Sequence, residues 1–120
     1  MARRQRVIGT LYPYLRVRIT LRGQVSEASA LVDTGFTGGL VIPSAALATA
    51  LGLPDARIDW ELADGSAVDA PLYFGIVEIP GLVPAPAAIT SLGSEYILGR
   101  GMIDRFSVTF DHGRRIIVEA

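Results

Sequence analysis

Ala30-Leu31-Val32-Asp33-Thr34-Gly35, continuing as Phe36-Thr37-Gly38-Gly39, is the stretch on which the reading of this chain turns. Three apolar residues run straight into a carboxylate, and the carboxylate opens a loop with three glycines in residues 33–39. A strand that dives into a core and ends so can deliver a polar group where a ligand's backbone comes close. Further along, Tyr96-Ile97-Leu98-Gly99 repeats the order apolar, apolar, glycine without the acid. Taken alone, Asp-Thr-Gly is a weak signal, because Asp and Gly are ordinary turn residues. The pairing of the two stretches is what carries information.

If such a carboxyl were to serve amide hydrolysis, it would be only half of a catalyst. One carboxylate must activate water while a carboxylic acid polarises the carbonyl, so two groups have to share a proton at close range. Like charges that near cannot both ionise cheaply, and the pair titrates as a unit. The sequence contains no second Asp-Thr-Gly. The partner is therefore expected to be Asp33 of another copy.

Working outward, the periodicity is mostly that of strands. Leu15, Val17, Ile19 and Leu21 alternate with Arg16, Arg18, Thr20 and Arg22, Gly23 permits a turn, and residues 25–32 return as a second strand. Leu40, Val41 and Ile42 read as a short buried strand. Pro43 and Ser44 then introduce an Ala-rich stretch to Leu51, expected to be a helix stopped by Gly52. Ile58, Trp60 and Leu62 alternate with Arg57, Asp59 and Glu61, and Asp64-Gly65 has the composition of a two-residue hairpin turn before an apolar strand from Val68 towards Ile79. Residues 87–90 suggest a short strand, residues 100–106 about two helical turns, and 107–111 with 114–119 a closing hairpin through His112-Gly113.

In this order, the apolar pair before Asp33, the Phe36-Thr37-Gly38 continuation, the Asp64-Gly65 hairpin and the late Ile97-Leu98-Gly99 resemble the retropepsin-like aspartic proteases, the short bacterial members most. The resemblance spans residues 15–119. It implies an all-β, mainly β fold: a closed retropepsin-like acid-protease barrel with one or two short helices, expected as a homodimer with a shared site. It implies an aspartic endopeptidase in which Asp33 is catalytic. Thr34 would lie beneath the dyad, its hydroxyl bonded to the other subunit's loop. Gly35 would leave space for the substrate backbone and offer it a carbonyl. Ala63, Asp64, Gly65 and Ser66 would be the tip of a flap that covers an extended polypeptide substrate, and Leu98 and Gly99 would pack beneath the catalytic loop.

Two departures stand out. Many viral relatives pair the Arg of a Gly-Arg step with an acid two positions after the catalytic glycine; here that position is Thr37, so Arg100 needs another partner or faces solvent. The flap tip carries Asp64 instead of a glycine-rich apolar sequence. A rival reading follows: a catalytically inactive peptide-binding or dimerisation module on the same fold.

Composition bounds the rest. Half of the 120 residues are hydrophobic and 19% are charged, ample for a core and suited to a surface buried by self-association. The whole chain, residues 1–120, is expected to form one domain, with residues 1–10 as a flexible, solvated arm. A net charge of −1, with every basic residue an Arg, gives no footprint for nucleic acid. No run of about 20 apolar residues suggests a membrane helix. Cysteine is absent, so a cytoplasmic setting is the default. No cofactor is expected, and one histidine without cysteine argues against a zinc site. His112 reads as a turn residue and Trp60 as core rather than the wall of a pocket. Nothing matches a Gly-x-Ser-x-Gly elbow, a Walker loop or a dinucleotide fingerprint, and the remaining acids sit mostly in turns or on wet faces, unlike a glycosidase pair. Ile116 to Val118 are candidates to interleave with a partner's termini, where Arg3 to Arg6 would need acidic company such as Glu119.

Overall fold

The alternation at residues 15–21 becomes a strand with one dry face. In the computed structural model, which describes residues 5–47 and 51–120, Leu15, Val17, Ile19 and Leu21 are buried on β2 (Tyr14–Leu21). Arg16 and Arg18 point outward to Glu27 on β3 (Gln24–Val32). Arg22 and Gly23 both have positive φ, 51° and 79°, which makes the two-residue turn whose twist suits a β-hairpin.

After β3 come β4 (Leu40–Ile42), a 3₁₀ turn (Ser44–Leu47), β5 (Ala56–Glu61), β6 (Ala67–Glu78), β7 (Ala85–Ser91) and β8 (Ile97–Leu98). They join β2 and β3 in a seven-stranded sheet of order β2-β3-β8-β4-β7-β6-β5. β2 also pairs with β6, Ile19 opposite Val77, so the circuit of pairings from β2 through β6 returns to its start. Inside it sit Leu40, Val77, Ile89 and Leu98, all fully buried. The chain ends with α1 (Arg100–Ile103), β9 (Ser107–Asp111) and β10 (Arg115–Glu119). The fold is mainly β, with one short helix.

A second sheet corrects the reading of both ends. Residues 6–9, expected in a solvated arm, form β1 (Arg6–Gly9), which pairs antiparallel with β10 in the same chain, Arg6 opposite Glu119. Val7 packs on the core beneath it. The order β1-β10-β9 places Ile116 to Val118 in the middle strand, both of its edges already paired, so this segment has no free ladder to interleave with a partner. Arg3 and Arg4 lie outside the described residues.

The helices are shorter than their sequence patterns. Only Ser44–Leu47 turns as 3₁₀, while residues 48–50 of the expected helix lie outside the described residues. α1 makes one turn, burying Met102 and Ile103, and Phe106 then packs on the core from the turn that leads into β9.

Candidate active site

Two backbones in contact position Asp33. β8 runs parallel to β3, with Val32 opposite Leu98, and antiparallel to β4, with Leu40 opposite Leu98. The late apolar pair therefore lies between the strand that enters the Asp33 loop and the strand that leaves it. The Asp33 amide donates to the Leu98 carbonyl at 3.0 Å. Beyond Leu98, three successive amides donate back to the loop: Gly99 to the Gly39 carbonyl at 3.0 Å, Arg100 to Phe36 at 2.8 Å and Gly101 to Gly38 at 3.0 Å. Such closeness leaves no room for side chains. A methyl on Gly99 would collide with the Gly38 carbonyl and the Phe36 ring, and one on Gly101 would lie 3.0 Å from the Gly38 backbone.

The Asp33 carboxylate is held from its own loop. The Gly35 amide donates to Asp33 Oδ1 at 2.8 Å, and a Cβ at Gly35 would sit 3.2 Å from that oxygen. The hydrogen bond holds Oδ1 of the carboxylate, and Asp33 lines the neighbouring groove. It is a task for Gly35 that the sequence reading did not foresee. Asp33 is half-buried, and Thr34 and Gly35 are exposed.

A groove of about 440 Å³ opens beside Asp33. Phe36, Val41, Trp60, Leu62, Val68 and Ile97 line it, and Glu61 and Glu95 also reach it. Trp60 thus corrects its assignment to the core. It stands edge-on to Phe36 with centroids 5.0 Å apart, and its Nε1 donates to Thr90 Oγ1 at 3.1 Å. Thr90, which is buried, donates its own hydroxyl to the Pro71 carbonyl at 2.8 Å. A period-two apolar pattern could not say on which side of β5 the core lay, because β5 is the edge strand of the sheet.

Ala63, Asp64, Gly65 and Ser66 form the tip of the β5–β6 hairpin, all exposed. The connection is a three-residue loop, not the expected two-residue one. Leu62 donates to the Ser66 carbonyl at 2.7 Å, Gly65 to the Leu62 carbonyl at 2.9 Å, and Gly65 has φ +86°. This is a tight turn followed by a left-handed residue, a geometry that glycine adopts freely. Asp64 Oδ1 accepts from the Ser66 hydroxyl at 2.6 Å and from its amide at 2.9 Å, and these bonds hold the Asp64 carboxyl below the usual range.

The hairpin's base is tied down elsewhere. Asp55 accepts the Phe74 amide at 2.8 Å and pairs with Arg22 at 3.1 Å; the amide first, then the guanidinium, lower its pKa. Arg22 also donates to the Leu53 carbonyl at 2.8 Å and lies over the Tyr73 ring. Neither residue was singled out from sequence, because their partners lie far apart along the chain. Arg100 finds Asp104, one turn along, at 3.2 Å. His112 is exposed in the β9–β10 turn with φ 53°, its Nδ1 2.6 Å from Asp111, and it does not line the groove. Among the described residues, no three His, Cys, Asp or Glu side chains gather as metal ligands, and no helix is long and apolar enough to cross a membrane.

Comparison with solved structures places this architecture. A crystal structure of a retropepsin-like aspartic protease from Rickettsia conorii matches with a TM-score of 0.65, covering 99% of this chain and 94% of that one at 16% sequence identity. The fold of this chain is retropepsin-like. No family model and no curated protein sequence matches it.

Proposed function

We propose that this chain is a homodimeric aspartic endopeptidase whose site is built from two Asp33 side chains. The observation that carries the reading is the Asp33 carboxylate itself, oriented by the Gly35 amide at the edge of an apolar groove and backed by the threaded Leu98-Gly99 segment. One Asp33 in the ionised form takes a proton from water as the oxygen attacks the peptide carbonyl. The protonated partner donates to the carbonyl oxygen, and a proton then passes to the amide nitrogen as the C–N bond breaks.

Thr34 is exposed and so open to a bond with the partner's loop, while Leu98 and Gly99 act as support beneath the site. The hairpin tip at Ala63, Asp64, Gly65 and Ser66 is proposed as a flap over an extended peptide, held through backbone bonds with apolar side chains in the groove. Self-association has a surface to use. Ile8, Leu11, Tyr12 and Phe110 are exposed on or beside the small sheet, and Pro13, next along the chain, accepts the Val32 amide at 3.0 Å just before Asp33. A cytoplasmic setting belongs to the same proposal, on the cysteine-free composition.

The test is cleavage of a mixed peptide library by wild type and Asp33→Asn side by side, from about pH 4 to 7, where a shared-proton dyad is singly ionised. The variant is expected to lose at least about a hundred-fold in kcat/KM. Full activity in Asp33→Asn would end this reading, and an intact dimer without cleavage in either protein would favour a peptide-binding module.

A further inference from the structure

We propose that the groove selects peptides carrying a basic side chain beside their apolar residues, and that Glu61 and Glu95 make this selection. The inference rests on the groove being the substrate site.

Two carboxylates besides Asp33 reach the groove from separate segments: Glu61 from the end of β5 and Glu95 from the loop before β8. Among the described residues no arginine lines it, and the chain has no lysine. Away from the groove most acids are paired, although Asp59 and Asp64 have no arginine among the described residues. Glu27, Asp55, Asp69, Glu78, Asp104 and Asp111 each have an arginine within 4.0 Å. Among the described residues, Glu61 and Glu95 have none.

Glu95 is nevertheless fixed. Tyr14 donates its hydroxyl to Glu95 Oε1 at 2.9 Å, a bond that positions the carboxylate without cancelling its charge. The same bond, followed by the Glu95 charge, raises the Tyr14 pKa. A peptide entering between apolar walls displaces water around these groups and strengthens their attraction for a cation, while an acidic side chain meets repulsion from both and from Asp33. An apolar pocket wall discriminates poorly between similar side chains; charge discriminates well.

Trp60 is the sole tryptophan and lines the groove, so its fluorescence reports binding directly. The experiment uses Asp33→Asn protein, to prevent turnover, with eight-residue Leu/Phe/Ala peptides carrying one lysine scanned through each position, and matching glutamate and norleucine sets. The best lysine peptide is expected to bind about ten-fold more tightly than its norleucine counterpart, with glutamate weaker still. Added in that background, Glu61→Gln and Glu95→Gln should each shrink the preference and together erase it; both positions are exposed, so the fold should survive. Equal affinity across the sets, a preference that survives both substitutions, or no binding by any set would overturn the proposal. Wild-type cleavage of the same peptides is scored separately. Lysine-selective binding without cleavage removes the peptidase reading and keeps this one, and cleavage without charge preference does the reverse.

Discussion

Across one groove, residues 33–39 are held by backbone, whereas the outer β5–β6 hairpin, beyond the part of β6 that pairs with β7 and β2, is tied to its surroundings by side chains. The Asp33 loop is locked to residues 98–101 through backbone hydrogen bonds, with glycines where the two segments touch. The hairpin leans on a few reaching groups: Trp60 through Thr90 to Pro71, Asp55 through Phe74 and Arg22, and a tip closed on itself by Asp64 and Ser66. Backbone contacts of that kind have no soft alternative, because moving one strand breaks several bonds at once. A hairpin pinned at its base and self-contained at its tip can open between those points at lower cost. On the proposed reading, the first region would hold the Asp33 carboxylate still and the second would cover and release a peptide.

The comparison breaks most sharply at Gly99. Gly99→Ala is expected to cost about 3 kcal/mol, because the added methyl meets carbonyl and ring atoms that cannot both move. Urea unfolding checks it; a loss near zero would mean that the two backbones slide apart easily and that the contrast with the hairpin is false.

Thr90→Val should be milder and should act on the other region. It keeps the shape of a buried side chain but leaves Trp60 Nε1 and the Pro71 carbonyl without their partner, for about 1–2 kcal/mol. A shift in Trp60 fluorescence together with faster amide exchange in β5, while residues 97–101 stay protected, would sharpen the distinction.

The smallest effect is at the tip. The Asp64 carboxyl is depressed by Ser66, so its contribution to tip order is complete above the ordinary carboxylate range and is lost as pH falls through the lowered value. The Ser66 amide resonance is expected to be constant from pH 7 to about 5 and to move only below about pH 4, and Asp64→Asn should abolish that movement. Global stability should hardly register it.

The same contrast explains what could be read from the sequence. Residues 15–32 alternate because one face of each strand is dry, and the Asp33 and Leu98-Gly99 segments are legible because backbone contact demands glycine at fixed places. β1 was not legible: four residues pair with a strand near the other end of the chain, and nothing local announces it. Asp64-Gly65 signals a tight turn but not its length, since that is set by whether Leu62 and Ser66 pair. Trp60, Glu61 and Glu95 became groove residues only once the hairpin and the loop before β8 were placed beside the Asp33 loop, a tertiary arrangement that local periodicity does not encode.

The central claim is a site shared between two copies, and subunit mixing tests it most directly. Wild type and Asp33→Asn are combined, allowed to exchange subunits, and assayed at constant total protein. If each site takes one Asp33 from each copy, activity falls with the square of the wild-type fraction, leaving roughly one quarter at an equal mixture. A linear fall, leaving roughly one half, would mean that each chain works alone and would contradict the shared dyad.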